Sequence, residues 1–270
     1  MGTIKRKTGL NGFSLGVTTM FRPSQLHHRS CEIKCRIVLP DRFGVLCWNI
    51  YKQNKKHFHF KHYLHTLHRE KSIDICIMQE AAFSDNERFA LEHCTYDAAA
   101  NIEVNGGFYG VLTASLVASK RANAYLSEGR ESLFGPHKSL LVSCYPLSDG
   151  RELLILNVHA INFRESRHYR RELEHFLLKV RDHTGPMIIA GDFNTWNKVR
   201  MKKLFRLCEE LGLQRVPFSQ EDKIKSFMGN HLDFIFFREL ELLEYEVIEE
   251  DTISDHNPLF ARFGCPVQKA

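Results

Sequence analysis

The chain runs to 270 residues, 43% of them hydrophobic and 26% charged, with a formal net charge of +5. That balance excludes an intrinsically disordered chain, a collagen-like repeat and a small disulfide-stapled scaffold, and it leaves room for one large core or two small ones. The modest positive charge suits a polyanionic substrate without requiring one.

Residues 1–40 are polar, basic and without hydrophobic periodicity, and are expected to form a flexible or loosely packed extension. Lys5, Arg6 and Lys7 give a basic start, but Gly9 to Ser14 break the apolar run that a secretory signal needs. No stretch is long enough to cross a bilayer as a helix, so a soluble cytoplasmic protein is expected. His27, His28, Cys31 and Cys35 sketch a zinc site, although the spacing is not that of a standard finger and no second ligand pair follows. Cys47, Cys76 and Cys144 fall inside apolar runs, where a free thiol behaves as a small buried hydrophobe, and no disulfide spacing emerges.

From Phe43 onward apolar runs recur without a linker, which makes 41–265 one domain. Strands are predicted over Val45–Ile50, Ile73–Gln79, Val111–Ala118, Ser139–Tyr145, Leu153–His159, Met187–Ala190, Leu232–Phe237 and Leu259–Phe263. Several are apolar on both faces, as in a strand covered on both sides. Helices are predicted where Tyr169, Leu173, Phe176, Leu177 and Val180 share one face, and where Met201, Leu204, Phe205, Cys208 and Leu211 share another. Strands outnumber helices and often follow one another directly. Two packed sheets with helices outside fit this order better than a doubly wound single sheet. His59, His62, His65 and His68 recur every third residue, a slowly drifting stripe that reads more readily as exposed helix positions than as a metal site.

The chemistry-bearing residues sit at strand ends. Asn49 closes the first strand and Glu80 follows the second, an amide oxygen and a carboxylate of the kind a hard cation such as Mg²⁺ takes. In Leu154–His159 the period of two puts Asn157 and His159 on one face with Val158 on the other. The same alternation pairs Asp192 with Asn194 and turns Phe193 away. A phosphodiester hydrolase needs an acid for the leaving oxygen and donors for charge growing on the non-bridging oxygens. His159 and Asn194 are of those types, and Asp192 could orient or deprotonate the attacking water. Asp233 opens an otherwise apolar strand, and Asp255-His256 precedes Pro258 and the last strand. Asp233 paired to His256 would fix the imidazole tautomer and make a competent general base, leaving Asp255 for metal or structure.

Taken in order, Trp48-Asn49, Gln79-Glu80, Asn157-Val158-His159, Gly191-Asp192-Phe193-Asn194, Leu232-Asp233 and Ser254-Asp255-His256 resemble the endonuclease/exonuclease/phosphatase superfamily, the deoxyribonuclease-I-like fold. Trp48 to Lys52, His159 to Phe163 and Gly191 to Trp196 look like its bacterial YafD-like branch. The resemblance covers Phe43 to Phe263. It implies an α/β/β/α four-layer sandwich with two packed mixed sheets, and Mg²⁺ (with Mn²⁺ as the alternative) held by Glu80, with Asn49 and Asp255 close by. It also implies His159 and His256 as the acid–base pair, Asp233 orienting His256, and Asp192 and Asn194 at the scissile phosphate. Asn157 is a candidate substrate contact. Two departures stand out: Tyr51 and Lys52 occupy a stretch where abasic-site nucleases carry an acidic or amide residue and a Gly, and Gly110 to Ser115 offer no carboxylate to partner His159.

The expectation is a Mg²⁺-dependent phosphodiesterase in which activated water attacks phosphorus, with DNA or RNA as first substrate. Arg164, Arg167, Arg170 and Arg171, and then Lys198, Arg200, Lys202, Lys203 and Arg206, could rim the cleft. Phe163 and Trp196 could stack on a base or pack in the core. The alternatives are a phospholipid or inositol-phosphate phosphoesterase, sphingomyelinase-like, and a non-catalytic binding module. The substrate is the only partner expected; no obligate protein partner and no membrane span are indicated.

Overall fold

The computed structural model describes residues 25–30, 36–84, 88–91, 93–104, 106–130, 137–160 and 166–266. Two mixed sheets face each other. The first runs β1 (Gln25–Arg29), β4 (Thr95–Val104), β5 (Gly107–Ser115), β3 (Ile73–Phe83), β2 (Arg42–Asn49), β15 (Leu259–Gly264) and β14 (Glu241–Val247). The second runs β10 (Gln214–Arg215), β13 (Asp233–Arg238), β9 (Met187–Asp192), β8 (Glu152–His159), β7 (His137–Pro146) and β6 (Arg121–Arg130).

Alternation along the strands builds the layers. Phe43, Val45 and Cys47 of β2, Ile155 of β8, Ile188 of β9 and Ile235 of β13 share the core between the sheets. The intervening Leu46 and Trp48 turn outward onto α2 (Phe60–Lys71), whose Phe60, Leu64 and Leu67 cover them. On the other side Leu154, Leu156, Met187 and Ile189 pack on α3 (Ser166–Leu178) and α4 (Lys198–Glu210) through Tyr169, Leu173, Phe176 and Leu204. The expected four layers are present, for the reason that each central strand is apolar on both faces.

The parallel pairs in the sheets are β2 with β3 and β8 with β9, each joined by helix on the outer face. The carboxyl ends of both pairs meet at one end of the sandwich, where Asn49, Glu80, His159 and Asp192 line a common crevice. In open α/β sheets that end is where ligands bind.

Residues 25–30 and 36–40, within the expected extension, join the fold. Gln25–Arg29 adds an edge strand to β4, His28 hydrogen-bonds Asp97 at 2.7 Å, and Leu39 is buried in the core between the sheets. The expectation of flexibility for residues 1–24 lies outside the described residues, as do Cys31 and Cys35 of the sketched zinc site. His27 packs against Phe83 and Phe108. Of the histidine stripe, His68 accounts for itself by bonding the Ile73 carbonyl at 2.8 Å at the end of α2.

Gly191 is required by close approach. It adopts φ +144°, and a Cβ there would lie 2.0 Å from the Val158 carbonyl oxygen on the adjacent strand. Gly191→Ala is therefore expected to destabilise the fold by roughly 3 kcal/mol through overpacking and backbone strain, lowering Tm by about 5–10 °C in a thermal melt. An unchanged Tm would contradict that reading of the β8–β9 contact.

Candidate active site

Seven of the expected site residues, Asn49, Glu80, His159, Asp192, Asn194, Asp255 and His256, line one crevice of about 250 Å³ at the carboxyl ends of the parallel strands. Asp233 stands behind it, bonding His256.

Local sequence explains how each side chain arrives. Asn49 continues the inward parity of Phe43, Val45 and Cys47 and reaches past the core into the crevice. Glu80 does not follow parity, because it succeeds the outward Met78. The register of β3 against β5 slips between Met78 and Ala81, and Glu80 itself sits at φ +50°. This bulge inserts one residue and swings the carboxylate inward. His159 and Asp192 extend the inward series Leu153–Ile155 and Ile188–Ala190 and stand opposite each other in the β8–β9 register. Asn194 follows in a left-handed conformation, φ +49°, a region that Asn tolerates. Its N–H donates to Asp192 Oδ1 at 2.9 Å and its Nδ2 to the Ala160 carbonyl at 2.8 Å.

The His256 loop is tied down from three sides. Glu250 accepts from the N–H groups of Thr252 and Ile253, Ser254 Oγ donates to the Asn49 carbonyl at 2.7 Å, and Trp48 Nε1 donates to the His256 carbonyl at 2.7 Å. The tryptophan beside Asn49 thus has a positional task.

Within the crevice Asn49 Nδ2 donates to Asp192 Oδ2 at 3.1 Å, and His256 Nδ1 meets Asp233 Oδ2 at 2.7 Å. His159 Nε2 lies 3.1 Å from Lys138 Nζ, 3.8 Å from Glu80 Oε1 and 3.9 Å from Asp192 Oδ2. Burial, then the Lys138 ammonium, then His256 and Lys52 push His159 well below the usual histidine range, so it is a neutral imidazole. Burial and, after it, the carboxylate of Asp233 push Asp192 up to about 7, against the cations His256 and Lys138. Burial works against protonation of His256, but Asp233, with Asp192 and Asp255, outweighs it and raises the imidazole to about 9. That favours the imidazolium form of His256 near neutral pH, because the buried Asp233 carboxylate stabilises its proton.

Asn157, the expected substrate contact, is 0% exposed and is not among the residues that line the crevice. Its Nδ2 bonds the carbonyls of Met78 and Leu112 and the Thr113 hydroxyl, and its Oδ1 accepts from Gln79 at 2.8 Å. It clamps the two sheets together beneath the crevice.

Cations at the site come from places the sequence analysis does not single out. Lys138 of β7 and Lys225 line the crevice, Lys225 bonding Asp255 Oδ2 at 2.8 Å, and Lys52 stands 3.8 Å from Glu80 Oε2. Burial works against ionisation of Asp255, but the bond to Lys225 holds its carboxyl below the usual range. No spacing signals Lys138, which is brought to His159 only by the pairing of β7 with β8. Of the helix cations, Arg170 pairs with Glu174 and Arg206 with Glu210 on the outer layer. Arg164 and Phe163 lie outside the described residues. Arg200 is no rim residue: it is fully buried between the rings of Tyr169 (4.5 Å) and Trp196 (4.7 Å), and its Nη1 donates to the Asn194 carbonyl at 3.0 Å. It holds the turn that carries Asp192 and Asn194, while Trp196 forms part of the crevice wall.

Two donor sets could hold a cation. Asp192, Asp233 and His256 bring ligand atoms within 4.8 Å of one another, the sole such group among the described residues. That set includes the Asp233–His256 hydrogen bond, which a shared ion would have to break. Glu80, Asn49 Oδ1 and Asp255 offer only oxygens, and use of them leaves that pair intact, which fits a hard divalent ion better.

The model of the Endonuclease/Exonuclease/phosphatase family matches residues 46–256. A UPF0294 protein of Vibrio cholerae is 36% identical over 83% of this chain and 79% of its own length. One from Erwinia tasmaniensis is 33% identical over 93% and 92%. Among solved structures, the endonuclease/exonuclease/phosphatase from Bacteroides vulgatus superposes with TM-score 0.64 at 16% identity, covering 83% of this chain and 99% of that one. The mannosyl-6-phosphatase of Bacteroides thetaiotaomicron gives 0.60 at 16% identity over 82% and 99%. D. rerio TDP2 complexed with single-strand DNA product gives 0.53 at 14% identity over 83% and 99%. At these identities the structural likeness speaks for the fold alone.

Proposed function

Because the chain belongs to the endonuclease/exonuclease/phosphatase family, we propose that it is a Mg²⁺-dependent phosphodiesterase that hydrolyses nucleic acid. The observation that carries the phosphodiesterase reading is the convergence of Glu80, Asp192, His159 and the Asp233–His256 pair at one crevice from five different strand ends and loops. A divalent ion held by Glu80, with Asn49 and Asp255 beside it, would offset charge on the phosphate.

Asp192 accepts the proton of the attacking water. It is fixed by Asn49 Nδ2 and by the Asn194 N–H, and its raised proton affinity suits a general base near neutral pH. His256, charged and oriented by Asp233, delivers a proton to the leaving oxygen. Neutral His159 lines the crevice beside Asp192 and Lys138. The lysines around the crevice favour a polyanion as substrate.

One observation favours a second reading, a phosphorylated lipid headgroup. The hairpin Ser226–Phe227/Asn230–His231 at the crevice mouth exposes Phe227 (48%) and Met228 (81%), where an apolar chain could lie.

The test is turnover of supercoiled and single-stranded DNA, RNA, bis-p-nitrophenyl phosphate and sphingomyelin with Mg²⁺, with Mn²⁺ and with EDTA. Hydrolysis of DNA or RNA that EDTA abolishes and Mg²⁺ restores is expected. Turnover of sphingomyelin alone would select the second reading, and turnover unaffected by EDTA would refute metal dependence.

A further inference from the structure

We propose that Lys138 is a catalytic residue whose ammonium, presented by His159, contacts a non-bridging oxygen of the scissile phosphate. The proposal rests on the phosphodiesterase reading of the same crevice.

Lys138 lies at the site end of β7, where Leu140 pairs with Val158 and the register brings the strand start alongside His159. It is only 7% exposed, a burial that lysine rarely accepts without a task or a partner. Its Nζ is 3.1 Å from His159 Nε2 and lines the same crevice as Glu80, Asp192 and His256. An imidazole nitrogen that close to an ammonium can only accept from it, so His159 Nε2 presents a lone pair to Lys138 and carries no proton toward a substrate. The fixed positive charge on this wall is therefore the lysine, and its charge is felt at Asp192 as well.

The same crevice carries the His256–Asp233 pair. A phosphate seated in it meets both the ammonium and the imidazolium. In hydrolysis the bond from water oxygen to phosphorus forms and the bond to the leaving oxygen breaks. Negative charge grows on the non-bridging oxygens, and Lys138 stabilises it by hydrogen bonding without transferring a proton. His159 then acts as a positioning residue for Lys138. This also accounts for the lack of a carboxylate beside His159 in the run Gly110 to Ser115: its partner here is a cation.

The experiment compares wild type with Lys138→Met and Lys138→Arg on the Rp and Sp diastereomers of thymidine 5′-(p-nitrophenyl) phosphorothioate and on the oxygen parent. Lys138→Met is expected to lower kcat by about 10²- to 10³-fold with the thermal melt retained, and Lys138→Arg to recover part of it. The penalty that sulfur imposes on one diastereomer should vanish in Lys138→Met, a signature that a purely structural lysine would not alter. A kcat within a few fold of wild type, or sulfur penalties unchanged in both diastereomers, would overturn the proposal. Inorganic phosphate titrated calorimetrically into both proteins covers the case in which wild type hydrolyses no ester. Affinity at least tenfold weaker in Lys138→Met would then sustain the phosphate contact while the esterase reading fails. Equal affinity would sink the contact itself.

Discussion

Asp192→Asn is expected to lower turnover by a factor on the order of 10³ or more while leaving the protein at least as stable as wild type. The amide keeps the size of the carboxylate and can still meet the Asn194 N–H, but it cannot accept the proton of water. The stability half follows from the same burial. Asp192 has its proton affinity raised from the ordinary 3.8 to about 7, by burial first and by Asp233 second. A carboxyl whose folded value lies above its unfolded one favours the folded state while protonated, and that contribution disappears as pH rises from about 4 through about 7. At pH 8, without added metal, wild type carries an unfavourable buried charge that the variant lacks. A thermal melt at pH 8 should therefore show the variant Tm equal to or above that of wild type, beside a turnover assay showing almost none. A variant that melts much lower would mean that Asp192 is principally a structural anchor for the β8–β9 strand ends. The combination of lost activity and retained stability is the usual mark of a functional site built at some cost to the fold.

Asp233→Asn should also cost turnover on the order of 10³-fold, with the opposite consequence for stability. Asp233 accepts from His256 at 2.7 Å and, ahead of Asp192 and Asp255, opposes the effect of burial to raise the imidazole to about 9. A histidine raised above 6.5 contributes stability that is fully present below pH 6.5 and is lost as pH rises through about 9. In metal-free wild type, denaturant melts between pH 6.5 and 9.5 should show that loss. In Asp233→Asn the loss should largely disappear, because the imidazolium no longer has its buried counter-charge. Parallel pH profiles for the two proteins would show that His256 is charged for another reason and would detach it from the role of proton donor.

Much of the catalytic layout is legible along the chain because strands have a period of two. Asn49 and Asp192 each extend an inward series of apolar residues by one step and His159 by two, so their face follows from their neighbours. Their common direction follows from the short list of ways to connect a strand, a helix and a parallel strand. Glu80 breaks that logic. Its identity and position in the order of phrases are readable, but the bulge that turns it inward depends on the β5 partner strand. Asn157 shows the complementary failure, since period two yields a face and not a depth. The residue lies on the same face as His159, yet one step below the crevice, where only the opposite sheet can reach it.

Strand assignment divides in a similar way. The central strands announce themselves by apolar runs. Thr95–Val104, Arg121–Arg130 and Glu241–Val247 carry no such run, the first being rich in alanine and the other two interrupting apolar with charged residues. Arg121–Arg130 and Glu241–Val247 are sheet edges, which bury little on one face and therefore need no apolar repeat.

The sequence by itself determined the layered architecture, the order of the site phrases and the side-chain types they deliver, because alternation and short-range turns are local properties. Tertiary structure alone decided which of those groups meet. The neutral state of His159 beside Lys138, the charged state of His256 beside Asp233 and the burial of Arg200 under the Asn194 turn all arise from residues 6 to 23 positions apart in sequence. Proton affinity depends on burial and on charges a few ångströms away in space, and those distances exist only once strands have paired and the two sheets have closed on each other.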